Sequence, residues 1–177
     1  RFGCEVVFVG WYYPKRGPIA RTMAQGVDLG IWGGGWDSPE ARQMVNGSVV
    51  RGGAVNDRTA AKIYSASLVG LNVHADQSRS GGLNMRTFEL LASGLFQLVD
   101  RIPGMEELLT PDLEVVSYST SEEACQLARH YINDAGARRQ IAARGRERTL
   151  AEHTYTCRLR RLCEVARTSG DSPSSRA

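Results

Sequence analysis

The stretch Ser67-Leu-Val-Gly-Leu-Asn-Val-His74-Ala-Asp-Gln-Ser-Arg-Ser-Gly81-Gly82-Leu83-Asn84-Met85-Arg86-Thr-Phe-Glu89-Leu-Leu-Ala-Ser-Gly94 decides the fold of this 177-residue chain. An apolar run of strand length passes into a polar, glycine-bearing loop, and the loop opens a segment of helical period. Gly81-Gly82 lets the backbone approach a ligand closely, while the free amides of a helix start favour an anion such as a diphosphate. The spacing predicts that Met85, Phe88, Leu91 and Ala92 share the core side, with Arg86, Glu89 and Ser93 in a separate stripe. Gly94 ends the helix as a C-cap residue. A carboxylate one turn inside such a helix can accept hydrogen bonds from both hydroxyls of a ribose, each worth roughly 1.5–3 kcal/mol once water is excluded. The spacing equally allows Arg86 and Glu89 to form a surface i, i+3 ion pair worth a few tenths of a kcal/mol.

Outward from this block, strand-length apolar runs alternate with helix-period segments, the pattern of a parallel sheet covered on both faces. Strands are expected near 5–9, 28–32, 48–51, 67–73, 95–99 and 113–117, with helices near 18–25, 38–45, 57–65, 84–93 and 104–109. Six strands with right-handed crossovers make a Rossmann-like, doubly wound α/β domain that holds ligands outside the carboxyl ends of its strands. Three further helical segments close the chain. The first opens at a capping box, Thr120 with Glu123, the second spans about Ala137 to Glu152, and the third starts at Thr154 and repeats Tyr155, Leu159, Leu162 and Ala166 as an apolar seam. One domain over 1–168 and a disordered Ser/Pro/Gly-rich tail over 169–177 are expected.

Two loops on the ligand edge carry further candidates. Gly10-Trp-Tyr-Tyr-Pro-Lys15-Arg16-Gly17 sets two adjacent cations after the first strand, where they could neutralise a diphosphate leaving group or lie on a solvated turn. Gly33-Gly-Gly-Trp36 and Arg51-Gly-Gly53 follow the second and third strands, and Trp36 could line a pocket or pack on the sheet. His74 ends a strand at the same edge and could touch a sugar, whereas His153 suits capping and packing. No Gly-x-Gly-x-x-Gly or Gly-x-x-x-x-Gly-Lys-Ser/Thr occurs, which weakens dinucleotide and P-loop readings. A net charge of +3 falls short of the basic stripe of a nucleic-acid binder. Cys4, Cys125, Cys157 and Cys163 form no Cys-x-x-Cys pair and read as free thiols rather than metal ligands, and no cofactor is expected. No apolar run reaches bilayer length, and the chain is expected to be cytoplasmic. It starts on Arg1 with a strand almost at once, as a piece of something longer would.

Taken together, Val7-Phe-Val-Gly10 with Lys15-Arg16, Ile31-Trp-Gly33, Leu71-Asn72 with His74, Gly82-Leu-Asn-Met-Arg-Thr-Phe-Glu89 with Ala92-Ser-Gly94, and Glu152-His-Thr-Tyr155 with Arg158 resemble the C-terminal domain of CgeB-like spore-maturation proteins, relatives of the group 1 GT-B glycosyltransferases. The resemblance spans nearly the whole chain, and Asn84–Glu89 and Glu152–Tyr155 are its specific parts. It implies a donor domain for a nucleoside-diphosphate sugar: Glu89 on the ribose, the amides of Gly81, Gly82, Leu83 and Asn84 on the phosphates, with Gly10, Arg86 and His74 beside the donor and Lys15 or Arg16 countering the leaving group. It also implies an acceptor-binding N-terminal domain absent from this chain. In the group 1 relatives a first glutamate stands where this sequence has Gly81, so a non-catalytic carbohydrate or protein-interaction module, or a nucleotide-sugar epimerase on the same fold, is the other reading.

Overall fold

The computed structural model describes residues 2–75 and 82–170. Six strands, β1 (Cys4–Val9), β2 (Leu29–Trp32), β3 (Val50–Gly52), β4 (Ser67–Asn72), β5 (Phe96–Asp100) and β6 (Val116–Tyr118), form one sheet in the order β3-β2-β1-β4-β5-β6. Every pairing is parallel, with Val7 opposite Gly30 on one side and Gly70 on the other. The strand order reverses direction between β1 and β4, so the loops leaving those strands diverge to opposite faces and open a crevice at the carboxyl edge. This is the doubly wound architecture expected from the alternation of elements.

Helices α1 (Arg16–Gly26), α2 (Pro39–Met44), α3 (Asp57–Ser65), α4 (Met85–Ala92), α5 (Ser121–Asn133), α6 (Ala135–Glu152) and α7 (Tyr155–Gly170) cover it. One buried cluster lays Ile19, Met23, Ala41, Ala124 and Ala128 of α1, α2 and α5 on Val6, Phe8, Leu29, Ile31, Leu71 and Leu98. On the other face Ala60, Ile63, Tyr64 and Leu90, from α3 and α4, meet Val7, Val9 and Trp32. The strands are apolar toward both faces because both are covered, each enclosed aliphatic side chain contributing about 1.5–3 kcal/mol.

Several boundaries depart from expectation, each for a local reason. Instead of a helix over 104–109 there is a three-residue 3-10 turn, Met105–Glu107, entered through Gly104 at φ 80°. The last strand starts at Val116, because Asp112 at φ 62° closes a turn whose amide donates to the Val115 carbonyl at 2.7 Å. The third strand is delayed to Val50 by a 3-10 turn that Asn46 caps by accepting from the Ser48 amide at 3.2 Å.

The core face of α4 also differs. Thr87, Leu90 and Leu91 are buried, whereas Met85 is 63% exposed, and Phe88 and Ala92 line a hollow of about 270 Å³ between α4 and the α6–α7 junction. Apolar residues occupy two sides of this helix, and the neighbouring α6 claims one of them. At that junction His153 joins its Nε2 to the Leu108 carbonyl at 2.9 Å, and the Arg158 guanidinium sits 4.0 Å from the centre of the Phe88 ring. The expected seam of α7 is present but uncovered, with Tyr155, Leu159 and Leu162 each more than half exposed and Ala166 exposed as well. The tail assigned to disorder falls outside the described residues from 171 onward. Among the described residues no helix is long and apolar enough to cross a membrane.

Candidate functional site

At the carboxyl edge of β1 and β4 lies an open cleft of about 380 Å³, whose walls include Gly10, Arg16, Asn72, Asn84, Arg86 and Glu89. One wall is the loop after β1. Its position is set by contact with the loop after β2, where Gly33, at φ 153°, lies so near Gly10 that a Cβ would stand 1.9 Å from the Gly10 carbonyl oxygen. Trp36 donates its indole N–H to that same oxygen at 2.9 Å and packs edge-on against Phe8 and Tyr12, leaving it 2% exposed. Trp36 therefore packs rather than lines the cleft, and the second glycine set serves a close approach of two loops. Arg51 turns to the opposite edge, pairing with Asp28 and donating to the Gly3 carbonyl at 2.6 Å.

The facing wall is the start of α4. Asn84 caps the helix, its side-chain oxygen accepting from the Thr87 amide at 3.0 Å. Asn84 and Asn72 exchange amide hydrogen bonds at 3.1 and 3.0 Å, and Asn72 also donates to the Thr87 hydroxyl at 3.0 Å. The buried Tyr118 hydroxyl donates to the Asn72 carbonyl at 2.9 Å. The end of β4 and the helix cap thus form one satisfied polar cluster, rigid because every alternative would leave a buried group unpaired. The Met85 and Arg86 amides belong to the first turn, where a helix leaves its N–H groups without intrahelical partners, and both residues border the cleft.

Arg86 lies in that first turn, which contains no acidic residue. Its guanidinium donates to Glu89 at 2.5 Å and to the Tyr64 hydroxyl. Burial pushes Tyr64 up to about 12, only partly offset by Arg86, so the phenol stays protonated across the physiological range. The Arg86–Glu89 ion pair anticipated from spacing exists, with side chains 30% and 40% exposed, yet both residues still border the cleft. A pair this exposed is worth only a few tenths of a kcal/mol.

The two cations after β1 are separated in role. Arg16 lines the cleft, lies over the Phe8 and Tyr13 rings, and donates to the carbonyls of Trp11 at 2.6 Å and Val73 at 2.8 Å. Burial lowers its guanidinium from the ordinary value without discharging it. Lys15 pairs instead with Asp100 at 3.2 Å. Leu83 turns its side chain to the cluster of Leu91, Val99 and Met105, while Gly82 has open space where a Cβ would be. Gly81 lies outside the described residues.

His74 corrects the expectation of direct ligand contact. It is fully enclosed, with Nδ1 at 2.8 Å from Asp100 and Nε2 accepting from the Asn84 amide at 3.1 Å. Asp100 and Tyr118 were not singled out from sequence; a polar residue closing an apolar strand at the ligand edge was the available signal for Asp100. Burial raises the Asp100 carboxyl pKa, but two N–H groups of His74 and the Lys15 ammonium outweigh it and hold the carboxyl below its ordinary 3.8. A depressed carboxyl contributes stability above the unfolded value that disappears as pH falls through the folded one. Asp100→Asn is therefore expected to destabilise the chain at pH 7, with the difference from wild type shrinking below about pH 4; denaturant titrations at both pH values measure this. Among the described residues no group of His, Cys, Asp or Glu is arranged to hold a metal ion.

Solved structures share the fold of this chain. Sucrose-phosphate synthase from Thermosynechococcus elongatus matches with a TM-score of 0.70 at 17% identity, over 93% of this chain and 45% of that one. Anabaena HepE in complex with UDP-glucose matches at 0.71 and 14%, over 93% of this chain and 49% of that one. The C-terminal domain of the group 1 glycosyl transferase LpcC from Francisella tularensis matches at 0.63 and 11%, covering 86% of this chain and 88% of that domain. The chain thus spans about half the length of the first two and nearly all of an isolated C-terminal domain, so its fold is that of one GT-B half. No curated protein sequence matches it. The sequence pattern of the family described as Glycosyl transferase-like runs through residues 17–164, taking in α1, the α4 block and most of the closing helices, and the chain belongs to that family.

Proposed function

We propose that the chain is the donor-binding half of a glycosyltransferase that transfers a sugar from a nucleoside-diphosphate sugar, and that it belongs with the CgeB-type members of its family. The observation that carries this reading is the cleft at the strand reversal, bordered on one side by the start of α4 with Arg86 and Glu89 and on the other by Gly10 and Arg16. Amides and guanidinium suit a diphosphate, and a carboxylate one turn further along suits the paired hydroxyls of a ribose. That Anabaena HepE, of similar fold, is in complex with UDP-glucose supports a nucleotide-sugar ligand.

Within this reading the domain supplies no covalent nucleophile. It orients the donor and stabilises the charge that develops on the departing diphosphate, the work of preorganised donors in a site with little water. Among the described residues, Arg16 and Arg86 are the cations bordering the cleft, so leaving-group compensation falls to them, and Lys15 contributes through Asp100. The acceptor and any base acting on it would lie on a second domain across the cleft.

Calorimetric titration of the 177-residue chain with UDP, GDP and their sugars is expected to give saturable binding. Absence of heat and of thermal protection with all of them would end the donor-site reading.

A further inference from the structure

We infer that His74 is a positioning residue for the α4 N-terminus: its imidazole, held in one tautomer by Asp100, fixes the backbone of the helix cap from behind and so sets the aim of the anion-facing turn. The inference rests on the donor-site reading for its functional consequence, but the geometry stands by itself. Nε2 accepts the Asn84 N–H at 3.1 Å, so this nitrogen carries no proton and the ring proton sits on Nδ1. Nδ1 then donates to Asp100 Oδ1 at 2.8 Å. The same oxygen accepts the His74 backbone amide at 2.8 Å, which pins the residue at both its main chain and its ring. The other oxygen, Oδ2, takes Lys15 at 3.2 Å.

Four segments of the carboxyl edge are thereby joined through the His74–Asp100 pair: the loop after β1, the ends of β4 and β5, and the cap of α4. The Asn84 amide is spent on this contact, leaving the Met85 and Arg86 amides for an anion. An imidazole with its proton on Nε2 would set two donors against each other and drive the cap outward. Among the described residues, the charged and titratable groups around the ring are Asp100 and, through it, Lys15, with Arg16 on the adjoining Val73 carbonyl and Tyr118 on the Asn72 carbonyl.

Two substitutions separate the halves of the relay. His74→Gln carries a carbonyl to about the reach of Nε2, so the Asn84 amide keeps an acceptor. His74→Asn keeps a donor near Asp100 and leaves Asn84 without one. With UDP and inorganic pyrophosphate as probes on the full chain, His74→Asn is expected to weaken both about tenfold, and His74→Gln to recover affinity to within about threefold of wild type. Equal losses in the two variants, or no loss in either, would overturn the inference, provided wild type binds; failure of wild type to bind sinks the donor-site reading instead. Nitrogen-15 NMR of the ligand-free wild-type chain needs no variant to fold. A protonated Nδ1 and bare Nε2 on His74 are expected, and the opposite tautomer or a freely averaging ring would refute the relay.

Discussion

Replacing Glu89 with alanine is expected to weaken UDP binding by about 10- to 100-fold while leaving inorganic pyrophosphate within about threefold. The comparison of magnitudes decides this. In the ligand-free chain Glu89 is paired with Arg86 at 2.5 Å, but both side chains are partly exposed and the pair is worth only a few tenths of a kcal/mol. Two ribose hydroxyls donating to the carboxylate would each contribute roughly 1.5–3 kcal/mol in a site that excludes water. The surface pair is therefore no obstacle to binding, since rearranging it costs less than one of the new bonds. Removal of the carboxylate leaves Arg86 on the Tyr64 hydroxyl, still beside the helix amides, so a ligand made only of phosphate loses little. Calorimetry with the two ligands measures the split, and parallel losses would take Glu89 off the ribose.

Gly33→Ala should cost about 3 kcal/mol of folding stability, through a loop that never touches the cleft directly. The added Cβ would stand 1.9 Å from the Gly10 carbonyl oxygen and 2.5 Å from its carbon, a clash of backbone with backbone that no side-chain rotation relieves. Moving Gly10 aside would strip the Trp36 indole of its acceptor and disturb a ring that is 2% exposed between Phe8 and Tyr12. It would also shift the wall that carries Arg16. Gly82→Ala is the control, because a Cβ there meets nothing within 4 Å; a change within about 0.5 kcal/mol is expected. Denaturant unfolding followed by tryptophan fluorescence compares the two. A Gly33→Ala variant as stable as wild type would show that the two loops can separate at little cost.

Much of the fold was legible in the sequence because its signal is local. The apolar runs of β1, β2, β4 and β5 are flanked by glycine and cap residues, and Asn84, Thr120 and Asn56 each cap a helix through a side chain three residues upstream of the amide it accepts from. Elements shorter than a helical turn or dependent on a single dihedral were less legible. The turn at Met105–Glu107 and the late start of β6 follow from Gly104 and Asp112 at positive φ, which apolar periodicity does not register.

Local pattern, then, was enough to establish six parallel strands, the strand–loop–helix block at 67–94 and the proximity of Arg86 to Glu89, because period, capping and i, i+3 spacing are properties of neighbouring residues. The tertiary structure alone decided which side of α4 meets the sheet, that His74 lies behind the cap instead of in the cleft, and that Lys15 and Arg16 part company. Those outcomes depend on groups distant in the chain: α6 takes the Phe88 side of α4, Asp100 attracts both His74 and Lys15, and the carbonyls of Trp11 and Val73 capture Arg16. A buried polar group settles where partners converge to satisfy it, and that convergence exists only once the sheet has formed.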